Sequence, residues 1–293
     1  MKYLNDYEAK EQILDIGRRM YAKHYVAAND GNISCKTGPD TIWATPTGVS
    51  KGYLKAEELV KMNLEGRVIR QGPLKPSSEI KMHLRVYNEN PEVQGVCHAH
   101  PPVSTSFAIA GISLDRAIYP EALVNLGTVP VVHYEAPGSQ GIPDSVAPYC
   151  KTHNALLLAN HGALAWGPTL TEAWYRLESL EHYAMILMYT GNIIGKANVL
   201  SCDQVRELIA IREKLGIRTG GLPPCCGAEA ANLTDVGGPP AAASACAASA
   251  ASVSAASACA GGSGAGEGPA VSAADIEAVV RAVLQRLVIP KLN

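Results

Sequence analysis

The sequence turns on the seven residues Val96-Cys97-His98-Ala99-His100-Pro101-Pro102. Residues 93–97 form an apolar lead-in that reads as a short buried strand. Side chains two apart on a strand point the same way, so His98 and His100 can aim both imidazoles at one point. The two prolines cannot continue a strand interior, which places the pair at its end. His161 stands in a similar place, after the apolar run at 155–159 and before Gly162. Any one of these histidines alone reads first as an ordinary turn residue. Together they are the ligand set of a catalytic zinc with an open fourth position.

The chain has 293 residues, enough for one large domain or two small ones. A net charge of -2 favours neither nucleic acid nor a charged membrane surface. No apolar run approaches the roughly 20 residues that span a bilayer. The N-terminal residues Met1-Lys2-Tyr3-Leu4-Asn5-Asp6 lack an apolar signal core, so a cytoplasmic protein is expected. The eight cysteines show no disulfide framework. The vicinal pair Cys225-Cys226 is open to two readings, a soft-metal or redox site and two small loop residues.

Composition divides the chain into a mixed, globular part over 1–218, a Gly/Pro/Ala/Ser-rich segment over 219–272 and a patterned end over 273–293. In the first part, Ile13, Ile16, Met20 and His24 recur at helical spacing, predicting a helix over about 7–25. Residues 33–35 and 41–44 read as a hairpin around Gly38-Pro39-Asp40. A helix is predicted after Pro76-Ser77-Ser78-Glu79, with Ser78 available as its cap, ending at Asn90-Pro91. Further on, the pattern predicts a helix over 103–110, a strand over 129–134, a short helix over 145–152, and strands at 155–160 and 164–167. A long helix follows, capped by Thr169 and Glu172, and a last one runs over about 201–215. Strands alternating with helices predict an α/β layered domain, and the hairpin-like links at Gly38 and Gly162 predict largely antiparallel pairing.

Three loops share small side chains and free N–H groups: 28–32, Thr45-Pro46-Thr47-Gly48, and Pro76-Ser77-Ser78-Glu79. Such loops can hold phosphate or another oxyanion, although each taken alone reads first as an ordinary turn or cap. None matches the glycine patterns of nucleotide-binding loops.

Gly31-Asn32, Thr45-Pro46-Thr47-Gly48, Ser77-Ser78-Glu79, His98-Ala99-His100-Pro101 and Asn160-His161-Gly162 occur in the order of the class II aldolase/adducin family. Over residues 7–218 the chain resembles that family, most of all its members that cleave L-fuculose 1-phosphate. The resemblance implies an α/β/α fold, a four-fold homotetramer with sites between subunits, and a Zn2+ ion on His98, His100 and His161. It assigns Asn32, Thr47, Gly48, Ser77 and Ser78 to the substrate phosphate and Glu79 to acid/base catalysis. Tyr119 is similar to the tyrosine that exchanges the second proton. The implied reaction is retro-aldol cleavage of L-fuculose or L-rhamnulose 1-phosphate to dihydroxyacetone phosphate and lactaldehyde. The metal stabilises the carbanion, so no Schiff-base lysine is needed. Pentulose-phosphate 4-epimerases of the family carry aspartate after the serine pair, so Glu79 favours the aldolase. A methylthioribulose-phosphate dehydratase shares the histidines and stays open. Adducin-like assembly proteins lack them.

The segment over 219–272 cannot bury a core and reads as a flexible linker. Beyond it, Ser272 to Asp275 resemble a capping box, and Ile276, Val279, Val280, Val283, Leu284 and Leu287 fall on one helical face before Pro290. A linker-tethered amphipathic helix needs a partner for its stripe: its own domain, a second copy, or another protein. It resembles the encapsulation peptides that carry enzymes into bacterial microcompartments. That resemblance implies shell proteins as partners and a microcompartment lumen as the location.

Overall fold

The computed structural model describes residues 2–70 and 72–223. Helix α1 (Asp6–Ala22) starts at a capping box in which Asn5 and Glu8 satisfy each other's backbone N–H. Ile13, Ile16 and Met20 are buried on it, as the spacing predicts. His24 departs from that expectation. The helix stops at Ala22, and His24 is exposed in a left-handed turn at φ 58°. The turn brings Tyr25 inward instead, with its N–H on Met20 O.

The hairpin follows as β1 (Asn32–Lys36) and β2 (Thr41–Ala44). Next come β3 (Val60–Asn63) and β4 (Val68–Arg70), an edge pair that the sequence pattern does not announce. Helix α2 (Ile80–Glu89) precedes β5 (Gly95–Ala99), and α3 (Pro102–Ala110), the helix expected over 103–110, stops at Gly111 in the left-handed conformation. Helix α4 (Pro120–Asn125) leads to β6 (Val131–Val132), only two residues of the strand expected over 129–134. Pro130, having no N–H to give, interrupts its start. The helix expected over 145–152 begins earlier, as α5 (Gly141–Val146), with Pro143 tolerated in its first turn. The chain then makes β7 (Ala155–Leu158), β8 (Gly162–Gly167), α6 (Leu170–Met188) and α7 (Cys202–Lys214).

The eight strands form one sheet in the order β4-β3-β2-β1-β5-β8-β7-β6, antiparallel except for the β6–β7 pair. One face packs Ile33, Cys97 and Leu157 under Ile13 and Met20 of α1 and Leu177 and Leu180 of α6. The other packs Ile42, Val96, Leu156 and Trp166 under Met82, Val86 and Tyr87 of α2 and Ile142 of α5. Alternation along β5 sends Val96 to one core and Cys97 to the other. The result is the α/β/α layering and largely antiparallel sheet that the sequence reading predicts.

Past α7 the chain stays fastened to the domain. Arg212 donates to Gly221 O at 2.9 Å and to Leu123 O, and Gly220 N donates to Thr152 O at 2.8 Å. No helix among the described residues is long and apolar enough to cross a membrane. Cys225-Cys226, most of the expected linker and the expected helix over 273–293 lie outside the described residues.

Candidate metal centre

The start of β1, the end of β5 and the β7–β8 turn meet at one end of the sheet. Asn32 lies opposite His98, and Ala99 lies opposite Ala163. His98 is fully buried near the end of β5, and His100 leaves the strand with its N–H on Tyr25 O at 2.9 Å. His161 sits in the turn, aimed by Asn160 at φ 57°, a conformation asparagine tolerates. The three rings converge, with centroids 5.0, 4.8 and 5.1 Å apart. Gly162 permits this closeness, since a Cβ there would lie 2.5 Å from His100 Cδ2 and 2.6 Å from Ala99 O.

The hydrogen bonds around the rings fit a cation. His98 Nδ1 lies 2.9 Å from the Ala163 carbonyl, which can only accept, so Nδ1 carries the hydrogen and Nε2 keeps its lone pair. His100 Nδ1 faces Asp30 Oδ2 at 3.3 Å, with the same consequence. The two Nε2 atoms are 3.2 Å apart. Two facing lone pairs repel unless a cation lies between them. Tetrahedral zinc, at about 2.0–2.1 Å from each nitrogen, sets neighbouring ligands about 3.3–3.4 Å apart. One ligand atom from each of the three histidines falls within 4.8 Å of the others, so the triad could hold one metal ion. Burial pushes His98 and His100 down from the usual imidazole range, which favours the neutral form that can ligate.

Glu79, just before α2, lies over the open side of the triad. Its Oε1 is 3.0 Å from His161 Nε2 and its Oε2 is 3.5 Å from His98 Nε2. Asn32 Nδ2 donates to Oε2 at 2.8 Å. Burial pushes the Glu79 carboxyl up, but His98, the His161 contact and the Asn32 amide outweigh it and hold the group well below the usual carboxylate range.

The loops singled out in the sequence are laced together beside this carboxylate. Thr47 N donates to Lys75 O at 2.9 Å, Ser77 N donates to Thr45 O at 3.4 Å, and Pro46 bridges Pro76. Asn32 Nδ2 also reaches Ser77 Oγ at 3.5 Å, while Asn32 Oδ1 is buried without a partner. Gly48 stands at φ 77° with open space around it. Ser78 does not cap α2: the N-cap is Glu79, without a side-chain bond, and Ser78 lies against Gly138 instead. Asn32, Thr47, Gly48, Ser77, Ser78 and Glu79 therefore share one neighbourhood.

Tyr119 makes its contacts elsewhere. Its ring meets His182 edge-on at 5.9 Å, in a cavity of about 430 Å³ also lined by Lys23, Tyr25 and Glu178. Three groups escaped the sequence reading. Asp30 orients His100 but sits in a cluster that reads only as turn chemistry. Lys51 is buried behind the Thr47 loop. Beneath the triad, Ser34 Oγ joins His83 Nδ1 at 2.7 Å and Tyr87 OH at 2.8 Å. The spacing of His83 and Tyr87, four apart on a helix, is the one signal that they share a face.

Residues 11–188 match the class II aldolase and adducin N-terminal domain family. The chain is 32% identical over 208 residues to a 3-oxo-tetronate 4-phosphate decarboxylase of Pectobacterium atrosepticum, covering 70% of this chain and 94% of that one. It is 31% identical over 179 residues to an L-fuculose phosphate aldolase of Methanocaldococcus jannaschii, covering 61% and 95%. The crystal structure of YgbL from Klebsiella pneumoniae superposes with a TM-score of 0.65 at 32% identity, over 70% of this chain and 99% of that one. With the family match spanning more than half its length and the fold and histidine triad in agreement, the chain belongs to the class II aldolase and adducin family, as an enzyme of the class II aldolase type.

Proposed function

We propose that this protein cleaves a carbon–carbon bond in a ketose phosphate, with L-fuculose or L-rhamnulose 1-phosphate as substrate and dihydroxyacetone phosphate and lactaldehyde as products. The observation that carries the reading is the Glu79 carboxyl group set within 3.0 Å of His161 Nε2 and 3.5 Å of His98 Nε2, against three convergent imidazoles. His98, His100 and His161 would hold Zn2+. When bound, that ion supplies Lewis-acid stabilisation for negative charge on the substrate's carbonyl and adjacent hydroxyl oxygens. Asn32, Thr47, Gly48, Ser77 and Ser78 take the phosphate, with Thr47 and Ser77 acting through their hydroxyls because their backbone N–H groups are already on Lys75 O and Thr45 O. As the bond between C3 and C4 breaks, its electrons stay on C3 as an enediolate and the C4 hydroxyl becomes the aldehyde. Glu79 is the group placed to move the proton at C3. Tyr119 exchanges the proton of the aldehyde oxygen. In its own chain its ring meets His182; it would serve the triad of a neighbouring subunit in a homotetramer with sites between subunits.

The decarboxylase relative supports a second reading by the same machinery. Loss of CO2 from a 3-oxo-tetronate 4-phosphate leaves the bonding electrons beside a carbonyl. Protonation then gives dihydroxyacetone phosphate again, with CO2 in place of the aldehyde. Incubating the zinc-loaded protein with each substrate and identifying the second product separates the two. Lactaldehyde release supports the aldolase, and CO2 release alone overturns it. Glu79→Gln should hold metal and lose turnover by about 100-fold or more. Unchanged turnover removes Glu79 from the mechanism.

The linker and helix expected over 219–293 suit recruitment to a microcompartment shell. Deleting residues 270–293 should leave activity and abolish co-purification with shell proteins. Retained co-purification overturns the targeting role.

A further inference from the structure

Lys51 takes no part in the chemistry above. It is 1% exposed, in the single turn Lys51–Tyr53 that follows the Thr47 loop. That turn presses on α1 so closely that a Cβ on Gly17 would lie 2.5 Å from Lys51 O. The Lys51 ammonium donates to Asn29 O at 2.8 Å and to Val49 O at 2.8 Å. These carbonyls belong to separate segments. Asn29 precedes Asp30, which faces His100, and Asn32, which holds Glu79. Val49 follows Thr47 and Gly48.

None of the ion pairs among the described residues includes Lys51; burial pulls its ammonium down to about 8, and Asp30 and Glu79, farther out, only partly oppose this. Burying a cation without a contacting anion is costly, and a neutral amide could tie two carbonyls without that cost. A cation kept at this place does something an amide cannot. It sets positive charge behind two carboxylates and beside the loops that would receive a phosphate.

We propose that Lys51 is a positioning residue: its ammonium ties the 28–32 turn to the 45–50 loop and holds the phosphate cradle in register with the imidazole triad. The inference rests on the phosphate role of these loops, and its test is separable from turnover. Metal-loaded wild type, Lys51→Met and Lys51→Arg are titrated with inorganic phosphate by calorimetry. Metal content and the KM and kcat for L-fuculose 1-phosphate are measured alongside. Lys51→Met should bind inorganic phosphate about tenfold or more weakly, raise KM more than it lowers kcat, and keep its metal. Lys51→Arg should recover most of the affinity.

Wild-type affinity in Lys51→Met, loss of its metal, or equal weakness in Lys51→Arg overturns the proposal, as does a wild type that binds no phosphate. If phosphate affinity falls as expected but the wild type cleaves no sugar phosphate, Lys51 keeps its role and the aldolase reading falls. Should Lys51→Met not fold, hydrogen exchange on the wild type decides. Inorganic phosphate must slow exchange over residues 29–32 and 45–50 together, and protection of one segment alone overturns the coupling.

Discussion

Asn32 and His98 stand opposite each other on β1 and β5, and the Asn32 amide crosses from that register position to Glu79 Oε2 at 2.8 Å. One side chain thus fixes where the carboxylate sits relative to the imidazoles. Hydrogen bonds to a charged group are worth about 1.5–3 kcal/mol, so Asn32→Ala should lower kcat/KM by about 10- to 100-fold. Metal content should stay unchanged, since Asn32 touches no imidazole through a hydrogen bond. Parallel kinetics and elemental analysis check both halves.

Removing the metal should abolish turnover and lower thermal stability, because an ion that binds only the folded chain stabilises it by mass action. Chelation followed by stepwise return of Zn2+ should restore both at one ion per chain. His161→Ala should prevent the restoration. A variant still recovering full activity with one equivalent would remove His161 from the ligand set.

Gly162→Ala should damage the centre without touching any ligand. The added methyl falls 2.5 Å from His100 Cδ2 and 2.6 Å from the Ala99 carbonyl, and one of these is backbone. Overpacking of this kind costs about 1–3 kcal/mol. The expected outcome is a lower melting temperature together with weaker Zn2+ binding, read by competition with a chromogenic chelator.

His83 supplies a pH dependence. Burial pushes it down to about 3, and the pull of Glu79 only partly opposes this. In the unfolded chain it titrates near about 6.5. The unfolded state therefore takes up the proton first as pH falls. The contribution to stability is complete above about pH 6.5 and is lost progressively towards about pH 3, at up to about 1.4 kcal/mol per pH unit. Denaturant melts of chelated wild type and His83→Gln across that range should diverge in slope. Parallel curves would show that His83 does not titrate there.

The legible parts of the sequence were those whose signal is local. His98-Ala99-His100 declares itself by a period of two on an apolar strand. Thr169 declares a helix start, and its hydroxyl accepts from Glu172 N at 3.1 Å. Gly111 declares a stop. The edge strand β4 gave no such signal, because Val68, Ile69 and Arg70 are all exposed and nothing alternates. His24 was misplaced because helical spacing continues past the residue where the backbone turns left-handed. Asp30 and Lys51 were invisible for another reason: their partners are chosen by tertiary approach, and a turn aspartate or a lone lysine carries no pattern that points to it.

The pairing of β5 with β8 has a consequence for how this architecture can vary. His98 Nδ1 reaches the Ala163 carbonyl across 65 positions of chain. Everything between, from α3 to β7, is an excursion that returns to the neighbouring rung, where Ala99 pairs with Ala163. Lengthening or shortening its loops between α3 and β7 leaves the centre intact only so long as both this pairing and the β7–β8 turn that carries His161 are regained. Slipping it by a single step turns Ala163 and its neighbours over and takes away the acceptor that keeps one imidazole facing inward. Tolerance to insertion and intolerance to slippage are thus two sides of one ladder.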